Sequence, residues 1–208
     1  MGDVRRARAV AMKRREQATS EAAERDRYSR QSRFWAIGPA GQERLRAGRV
    51  LVIGCGALGS AAVNLLARAG VGQITVVDRD FVELSNLQRQ LLFDEADADA
   101  GTPKAIAAAR AVARINSEVE VRPFVADVTP TNVERFVAQA DVVLDGTDNF
   151  ETRYLVNDAC MKLGIPWVYG GAIGSTGMSM TIVPGETACF RCLFPTPPPV
   201  GAMETCDT

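Results

Sequence analysis

The sequence predicts an α/β protein built on a doubly wound, mostly parallel sheet with flanking helices. From Arg49 onward, short apolar runs typical of buried strands alternate with segments of helical pattern. The first apolar run leads into Gly54-x-Gly56-x-x-Gly59, and this glycine turn opens the first of those helices. A strand, a glycine turn and a helix in that order indicate a Rossmann-like fold.

Each element has its own signal. Apolar runs bounded by Gly, Asp or Pro predict strands at Arg49–Ile53, Gln73–Val77, 119–125, 141–144 and 166–169. Helical patterns predict helices at 58–69, 103–116, 131–140 and Phe150–Leu163. Gly70 and Gly164 end the first and the last of these helices. Pro123 indicates an edge or an irregular end of the third strand, and a further strand at 177–183 has no helix before it.

Composition excludes several classes of protein. Of the 208 residues, 47% are hydrophobic and 24% are charged, which predicts one packed domain of ordinary size with an N-terminal arm. The chain contains no histidine, which excludes histidine general bases, Ser-His-Asp triads and histidine-ligated metals. No apolar run reaches the roughly 18 residues of a membrane helix, and no secretory signal is recognisable. The five scattered cysteines favour a reduced, cytoplasmic protein.

The arm, residues 1–26, is predicted to be a charged helix that precedes the domain at 27–208. Residues 1–35 carry ten Lys or Arg against five Asp or Glu, whereas the remaining residues carry 14 against 20. Binding of a polyanion is one interpretation of this asymmetry. A solvated helix of mixed charge is favoured over nucleic-acid binding, because no aromatic residue lies among the charges before Tyr28.

The glycine turn and Asp78 together predict a nucleotide site. The first glycine permits the tight turn, the second lets a phosphate approach the backbone, and the third lets helix and strand pack closely. Amides at the start of the following helix would then face the phosphate. Asp78 ends the second strand, where an acidic side chain can bind ribose hydroxyls. These features alone favour NAD, and a glycine turn without any ligand is the alternative.

A second group of polar residues favours a nucleoside triphosphate over NAD. Beyond Asp78 the chain supplies Asn86, Arg89 and Lys104, and the two cations are suited to phosphate oxygens. Asp148 follows the fourth strand, at the edge where doubly wound sheets bind ligands. No cationic residue adjoins it in the sequence, so magnesium is its expected partner.

Short motifs follow one another along the chain from Arg27 to its end: Arg27-Tyr28-Ser29-Arg30-Gln31, Gly54-Cys55-Gly56-Ala57-Leu58-Gly59, Asp78-Arg79-Asp80, Ser85-Asn86-Leu87-Gln88-Arg89-Gln90, Pro103-Lys104, Thr147-Asp148-Asn149 and Cys189-x-x-Cys192. In this order they resemble the ThiF/MoeB/HesA family, the bacterial relatives of ubiquitin-activating enzymes. Several specific motifs in the right order are a much stronger signal than a glycine turn alone.

The resemblance implies an ATP-dependent adenylyltransferase that acts on a small ubiquitin-like sulfur-carrier protein. In such enzymes the C-terminal Gly-Gly carboxylate of the carrier attacks the α-phosphate of MgATP, giving an acyl-adenylate and pyrophosphate. This chemistry depends on positioning and charge neutralisation, which suits a chain without histidine. Thiamine and molybdopterin synthesis are the implied settings, and the stretch 204–208 favours the thiamine branch.

The family motifs also imply a role for each matching residue. Asp78 would hold the ribose, the loop at 54–59 would face the phosphates, and Asp148 would bind magnesium. The phosphates and the developing charge would be held by Asn86, Arg89 and Lys104. The full nucleotide-binding set is Gly54, Gly56, Ala57, Gly59, Asp78, Asp80, Ser85, Asn86, Arg89, Lys104 and Asp148. A surface salt bridge is the alternative for each charged member.

Arg30 would reach into the active site of a second copy, so the resemblance implies a homodimer.

One position and one longer stretch depart from the family pattern. Ala57 stands where many relatives have another glycine, and the acidic, Ala-rich stretch 94–100 is expected to form a mobile loop that affects partner choice. The chain also ends at Thr208, before the last strands and the second cysteine pair of the family, so it is expected to be truncated at its C-terminus.

The cysteines divide into three groups. Cys189 and Cys192 have the spacing of half a tetrahedral zinc site, and the family implies zinc in the full-length parent. A redox pair is the alternative, disfavoured because no helix start is predicted behind them to lower a thiol pKa. Cys206 resembles a cysteine that some relatives use in a thioester or acyl-persulfide step and others dispense with. Cys55 and Cys160 are expected to be small packing residues.

Three other functions are weighed against carrier adenylation. An enzyme that adenylates another carboxylate, such as a peptide terminus or a tRNA-linked substrate, would share these motifs. An NAD-dependent oxidoreductase would bind nicotinamide without ATP turnover, and the group Asn86, Arg89 and Lys104 argues against it. A non-catalytic dimeric scaffold would bind nucleotide without pyrophosphate chemistry, and the retained charged residues argue against that reading.

Overall fold

The structure is a computed structural model that describes residues 27–197. Contacts divide the chain into two compact units, one ending at Leu45 and the other beginning at Arg46. Helix α1 (Ser29–Arg33) lies in the first unit, and helix α2 (Gly38–Ala47) begins there. Within this unit the side-chain amide of Gln31 donates to the side-chain oxygen of Gln42 over 2.9 Å. The predicted arm at 1–26 lies outside the described residues.

The second unit is built on one six-stranded sheet. Its strands are β1 Arg49–Ile53, β2 Gln73–Val77, β3 Glu120–Phe124, β4 Val142–Asp145, β5 Trp167–Ile173 and β6 Thr176–Ile182. They lie side by side in the order β3-β2-β1-β4-β5-β6. The first five strands are parallel, and β6 pairs antiparallel with β5. This confirms the predicted doubly wound, Rossmann-like and mostly parallel sheet.

Short and medium helices connect the strands of this unit. They are α3 Ala57–Ala69, α4 Glu95–Asp99, α5 Lys104–Ile115, α6 Val133–Val137, α7 Phe150–Leu163 and α8 Phe190–Leu193, with a 3₁₀ turn at Leu84–Asn86. None of the helices between residues 27 and 197 is long and apolar enough to cross a bilayer.

The strand order reverses at β1, which lies between β2 and β4. Val50 pairs in register with Ile74 on one side and with Val142 on the other. The chain first winds outward to β3 and then returns to add β4, so the connections after β1 and β4 diverge. A crevice opens at such a reversal, on the edge formed by the carboxyl ends of the strands. Pro123 lies in β3, which confirms its predicted place at an edge of the sheet.

The core lies between the sheet and the helices, and aromatic rings fill its β5 end. Leu51, Trp167 and Phe190 are fully buried. The rings of Trp167 and Phe190 meet edge to face with centroids 5.6 Å apart. Cys160 of α7 and Cys55 are also fully buried, in agreement with the packing role predicted for both.

The prediction of a mobile loop at 94–100 was wrong, because these residues form helix α4. The Asp94 side chain accepts a hydrogen bond from the Asp97 N–H over 3.1 Å and so caps the helix start. Acidic residues in the first turn, Glu95 and Asp97, also suit the positive end of the helix. The acidic composition therefore indicates a helix start.

Other boundaries differ for local reasons. Helix α6 begins later than the predicted 131–140, because the Asn132 side chain accepts from the Thr129 N–H over 2.8 Å and holds a turn before it, and the helix ends at Val137. Strand β5 runs to Ile173, beyond the predicted 166–169. Antiparallel pairing with β6 sustains it through two glycines that interrupt the apolar run. The bounds of β1, β2 and α7 agree with the prediction.

Candidate nucleotide-binding site

The loops that follow β1, β2 and β4 meet at the carboxyl edge of the sheet. The Gly54 N–H donates to the Val77 carbonyl over 2.9 Å, and the Gly146 N–H donates to the Ile53 carbonyl over 2.8 Å. These loops carry the predicted glycine turn, ribose carboxylate and magnesium carboxylate. The structure therefore places the three parts of the predicted site side by side.

Backbone atoms of three glycines are in direct contact: Gly54 and Gly59 of the glycine turn and Gly146 of the β4 loop. Gly54 has a φ of +81°, and a Cβ added to it would lie 2.6 Å from the Gly146 carbonyl oxygen. A Cβ on Gly59 would collide with the Gly54 carbonyl oxygen. A Cβ added to Gly56, in contrast, would meet nothing closer than Nε2 of Gln90, at 4.0 Å. The middle glycine thus leaves open space where a phosphate can approach the backbone.

The start of α3 adjoins this open space. Ala57 is the first residue of the helix, and Gly56 at the N-cap supplies no side-chain hydrogen bond to the first turn. The amides of that turn are therefore left for solvent or a ligand, and they lie at the positive end of a 13-residue helix. This arrangement suits an anion.

Asp78 connects the end of β2 to the glycine turn. Its carboxylate accepts from the Cys55 N–H over 2.6 Å and from the Asp80 N–H over 2.7 Å. Burial raises the pKa of Asp78, while these backbone hydrogen bonds and the charge of Lys104 act in the opposite direction. Burial likewise raises the pKa of the Cys55 thiol well above its ordinary value. Cys55 is therefore an inert packing thiol beside the loop.

Lys104, the first residue of α5, is held against Asp80. Its Nζ lies 3.1 Å from Asp80 Oδ2, and its N–H donates to the Asp80 carbonyl over 2.9 Å. The Lys104 side chain is buried, whereas that of Asp80 is exposed and also lies near Arg79. A phosphate that binds Lys104 would therefore replace Asp80 as the partner of its ammonium group.

The turn at Leu84–Asn86 carries the predicted residues Ser85 and Asn86, and Arg89 follows it. The Asn86 side-chain oxygen accepts from the Glu83 N–H over 3.3 Å and closes a capping box with Glu83. Ser85 is exposed, and its carbonyl accepts from Arg89 Nη1 over 2.9 Å. Asn86 is buried and shapes the turn, and the bond to Ser85 fixes the course of the Arg89 side chain.

Gln90 is a further polar residue at this place. Its side chain is buried beside Gly56, and Oε1 is one of two buried side-chain atoms in the described part of the chain without a hydrogen-bond partner. The sequence motif contains Gln90, but its burial against the glycine turn could not be predicted from spacing.

Asp148 lies at the tip of the loop between β4 and α7. Its carboxylate is exposed, and Asn149 Nδ2 approaches it at 3.4 Å. Asn149 caps α7 by accepting from the Thr152 N–H over 2.9 Å. Between residues 27 and 197 no cluster of three or more acidic or cysteine side chains could hold a metal by itself. One carboxylate still suits magnesium, which binds proteins through one or two carboxylates together with substrate phosphates.

Sequence reasoning missed the residues that hold this loop. Asp145 ends β4, and its Oδ2 lies 3.0 Å from Nε of Arg153 on α7. Both side chains are almost fully buried. Burial raises the pKa of Asp145, and the charge of Arg153 and hydrogen bonds from Thr147 oppose that rise. An Arg eight residues after an Asp was the only sequence signal, and it is not specific.

Arg30 belongs to the first unit and is exposed on α1. Trp35, which follows this helix, is also largely exposed. Both residues are therefore accessible in the single chain, and the action of Arg30 on a second copy stays a prediction.

The two cysteines of the CxxC motif face each other. Their Sγ atoms are 3.7 Å apart, close to the edge of about 3.8 Å expected for a tetrahedron with Zn–S bonds of about 2.3 Å. Cys189 is the N-cap position of α8, which begins at Phe190, so the expectation that no helix start follows to lower a thiol pKa was wrong for Cys189. Burial acts to raise the pKa of Cys189, but hydrogen bonds from Cys192 and the Arg191 backbone lower it overall. The described residues supply only these two ligands of a zinc site, and Cys206 lies outside them.

A separate shallow depression of about 360 Å³ lies between α3 and α5. Asn64, Arg68, Leu91, Leu92, Ala111, Arg114 and Ile115 line it. It contains none of the predicted site residues, and the glycine crevice is the better candidate for nucleotide.

Comparison with models of protein families identifies the family of the chain. The model of the ThiF family matches residues 28–208, which is most of the chain. The chain belongs to the ThiF family. The resemblance inferred from its motifs is thereby confirmed.

Curated ThiF-type relatives are similar over almost the whole chain. It is 50% identical over 182 residues to the sulfur carrier protein ThiS adenylyltransferase of Bacillus subtilis, covering 88% of this chain and 54% of that protein. It is 48% identical over 188 residues to the SAMP-activating enzyme E1 of Haloferax volcanii, covering 90% and 68%. The chain thus spans about half the length of the first relative and two thirds of the second.

Solved structures of ThiF-like architecture agree with this fold. The crystal structure of Escherichia coli MccB with ATP matches with a TM-score of 0.72 and 30% identity, over 81% of this chain and 52% of that one. The microcin C7 biosynthetic enzyme MccB in complex with N-formylated MccA matches with a TM-score of 0.76 and 29% identity, over 86% and 53%.

Proposed function

We propose that the chain is the nucleotide-binding part of an adenylyltransferase that activates a small ubiquitin-like sulfur-carrier protein. One observation carries the proposal: the glycine turn, Asp78 and Asp148 lie on adjoining loops at the reversal of the strand order. The identity of 50% to a ThiS adenylyltransferase supports a carrier protein as the substrate. Thiamine synthesis is the favoured setting, and molybdopterin synthesis is the alternative.

The reaction needs no general base. A carboxylate oxygen at the end of the carrier attacks the α-phosphorus of ATP, and the bond from that phosphorus to the bridging oxygen breaks. Pyrophosphate leaves with the bonding electrons, and the products are an acyl-adenylate and pyrophosphate. No proton has to move, so catalysis depends on alignment and on charge stabilisation.

Each part of ATP would have its own contacts in the proposed site. The ribose would lie against Asp78, and the phosphates would pass over Gly56 toward the first-turn amides of α3. Phosphate binding would draw Lys104 from Asp80, and Arg89 would supply a second cation. The helix amides, Lys104 and Arg89 would stabilise the negative charge on the leaving pyrophosphate.

Asp148 would hold magnesium at the exposed tip of the β4 loop. Bound there with the phosphates, the ion would neutralise negative charge on them. The exposed carboxylate fits this role because its remaining ligands would come from ATP and water.

The other proposed partners follow from the family. Arg30 would complete the site of a second copy in a homodimer, and the protein would act in the cytoplasm. Cys189 and Cys192 would supply half of a zinc site, with the other ligands from outside the described residues. Cys206 would be the acceptor if the reaction continues to a covalent step.

ATP–pyrophosphate exchange tests the proposal directly. The protein is assayed with a panel of Gly-Gly-ended carriers, with Asp148→Asn, and with Asp141→Asn as the matched control at the opposite end of β4. Exchange that depends on one carrier and falls by about 10²-fold or more in Asp148→Asn alone supports the proposal. ATP binding without exchange on any carrier would contradict it and favour another carboxylate, such as a peptide terminus, or a scaffold.

A further inference from the structure

Arg153 reaches from α7 back to the loop that bears Asp148. Its Nε donates to Asp145 Oδ2 over 3.0 Å, and its Nη2 donates to the Thr147 carbonyl over 2.6 Å and to the Gly170 carbonyl over 3.2 Å. One guanidinium thus joins the end of β4, the β4 loop and strand β5. The guanidinium reaches these acceptors from two separate nitrogens held in one plane, whereas a lysine ammonium would have to direct all of its donors from a single atom.

Aromatic rings fix the guanidinium further. Its central carbon lies 5.2 Å from the ring centroid of Tyr169 and 5.7 Å from that of Phe150. Both distances are within cation–π range, and the Arg153 side chain is only 7% exposed. The arginine therefore has little freedom to move.

The partner carboxylate closes the loop from its other side. Asp145 Oδ1 accepts from the Thr147 N–H over 2.9 Å and from the Thr147 hydroxyl over 2.7 Å. The residue before Asp148 is held through its N–H, hydroxyl and carbonyl. The residue after it, Asn149, caps α7. The backbone of Asp148 is fixed on both sides while its carboxylate stays exposed.

A buried ion pair is weak evidence for a stabilising role, because desolvation of the two charges offsets their attraction. Arg153 and Asp145 instead both form hydrogen bonds with the backbone of Thr147 in the loop. We infer that Arg153 is a positioning residue that holds the β4 loop so that Asp148 meets the divalent cation of the bound nucleotide. This inference rests on the proposed function.

The test measures metal binding rather than turnover. Mn²⁺ is titrated into the protein with a non-hydrolysable ATP analogue and followed by electron paramagnetic resonance. Analogue affinity without metal and thermal melting are measured in parallel. The variants are Arg153→Lys, which keeps a charge opposite Asp145, and the double variant Asp145→Asn with Arg153→Gln, which removes both buried charges. Arg49→Lys is the matched control, because Arg49 forms an exposed pair with Asp141 at the start of β1.

We expect Arg153→Lys to raise the half-saturating Mn²⁺ concentration by about fivefold or more and to leave metal-free analogue affinity within twofold of the wild type. The double variant should do the same or more, and Arg49→Lys should change neither quantity. Folded variants with unchanged Mn²⁺ dependence would overturn the inference. So would failure of both variants to fold, because Arg153 would then serve stability alone. Absence of pyrophosphate exchange in the wild type contradicts the proposed function but leaves this metal titration valid.

Discussion

The carboxylate of Asp78 accepts a hydrogen bond from the Cys55 N–H over 2.6 Å and so ties the end of β2 to the glycine turn after β1. The residue proposed to bind ribose therefore also shapes the loop proposed to bind phosphate. Loss of its charge should affect both tasks at once.

Nucleotide affinity should fall on acidification. Because burial raises the pKa of Asp78, the carboxyl takes up its proton at a higher pH than an exposed Asp, whose pKa is about 3.9. Below that raised pKa the two N–H donors face a neutral acceptor, and ATP should bind more weakly. Titrations from pH 7.5 down to about 4, in roughly half-unit steps, check this. Asp78→Asn is the control: it should bind weakly throughout, and an equal pH slope in the variant would assign the effect to the nucleotide's own phosphates.

Two glycine substitutions should separate stability from binding. Gly59→Ala places a Cβ against the Gly54 carbonyl oxygen, so it should lower the free energy of unfolding by about 1–3 kcal/mol. Gly56→Ala meets nothing closer than 4.0 Å, so its stability should stay within about 0.5 kcal/mol of the wild type. Its added methyl fills the space over the backbone, and ATP affinity should fall by about tenfold. Denaturant unfolding and nucleotide titration measure the two effects, and equal stability losses would refute the assigned roles.

Acid should weaken the attachment of α8. The hydrogen bond and charge of Arg191 lower the pKa of Asp158, and the two side chains meet at 2.6 Å. A lowered folded pKa means that this stabilisation is full above the ordinary Asp pKa of about 3.9 and is lost as pH falls through the lowered value. The melting temperature of Arg191→Met should therefore depend less on pH between about 5 and 2 than that of the wild type. Arg122→Met, at the exposed pair with Glu120, controls for a general loss of positive charge.

The cysteines should differ strongly in reactivity. Cys189 is partly exposed and has a lowered pKa, whereas Cys160 is buried and burial raises its pKa to about 12. Since the thiolate is the reactive form, iodoacetamide at neutral pH should modify Cys189 first and leave Cys55 and Cys160 until the protein is denatured. Peptide mass spectrometry after timed quenching checks the order. Bound zinc should protect Cys189 and Cys192 together, and early labelling of Cys160 would contradict the packing described here.

The fold and the outline of the site could be predicted from the sequence because both depend on short-range patterns. Apolar runs, glycine caps and the spacing of the glycine turn are local, and they located β1, β2 and α7 correctly. The contacts of Arg153 with Asp145, Thr147 and Gly170 depend on how α7 lies against β4 and β5. The pair of Lys104 and Asp80 likewise spans 24 residues. Such contacts require the folded sheet, and no spacing rule identifies them.

The contact among Gly54, Gly59 and Gly146 has a consequence for sequence change. A side chain at one of these positions meets carbonyl and α-carbon atoms of another, and backbone atoms cannot be trimmed by a further substitution. A steric clash of a leucine with a neighbouring side chain can be removed by a smaller residue at the neighbouring position. A clash with backbone atoms cannot be removed in this way. Randomising the three positions together should therefore return glycine at each of them, without compensating pairs.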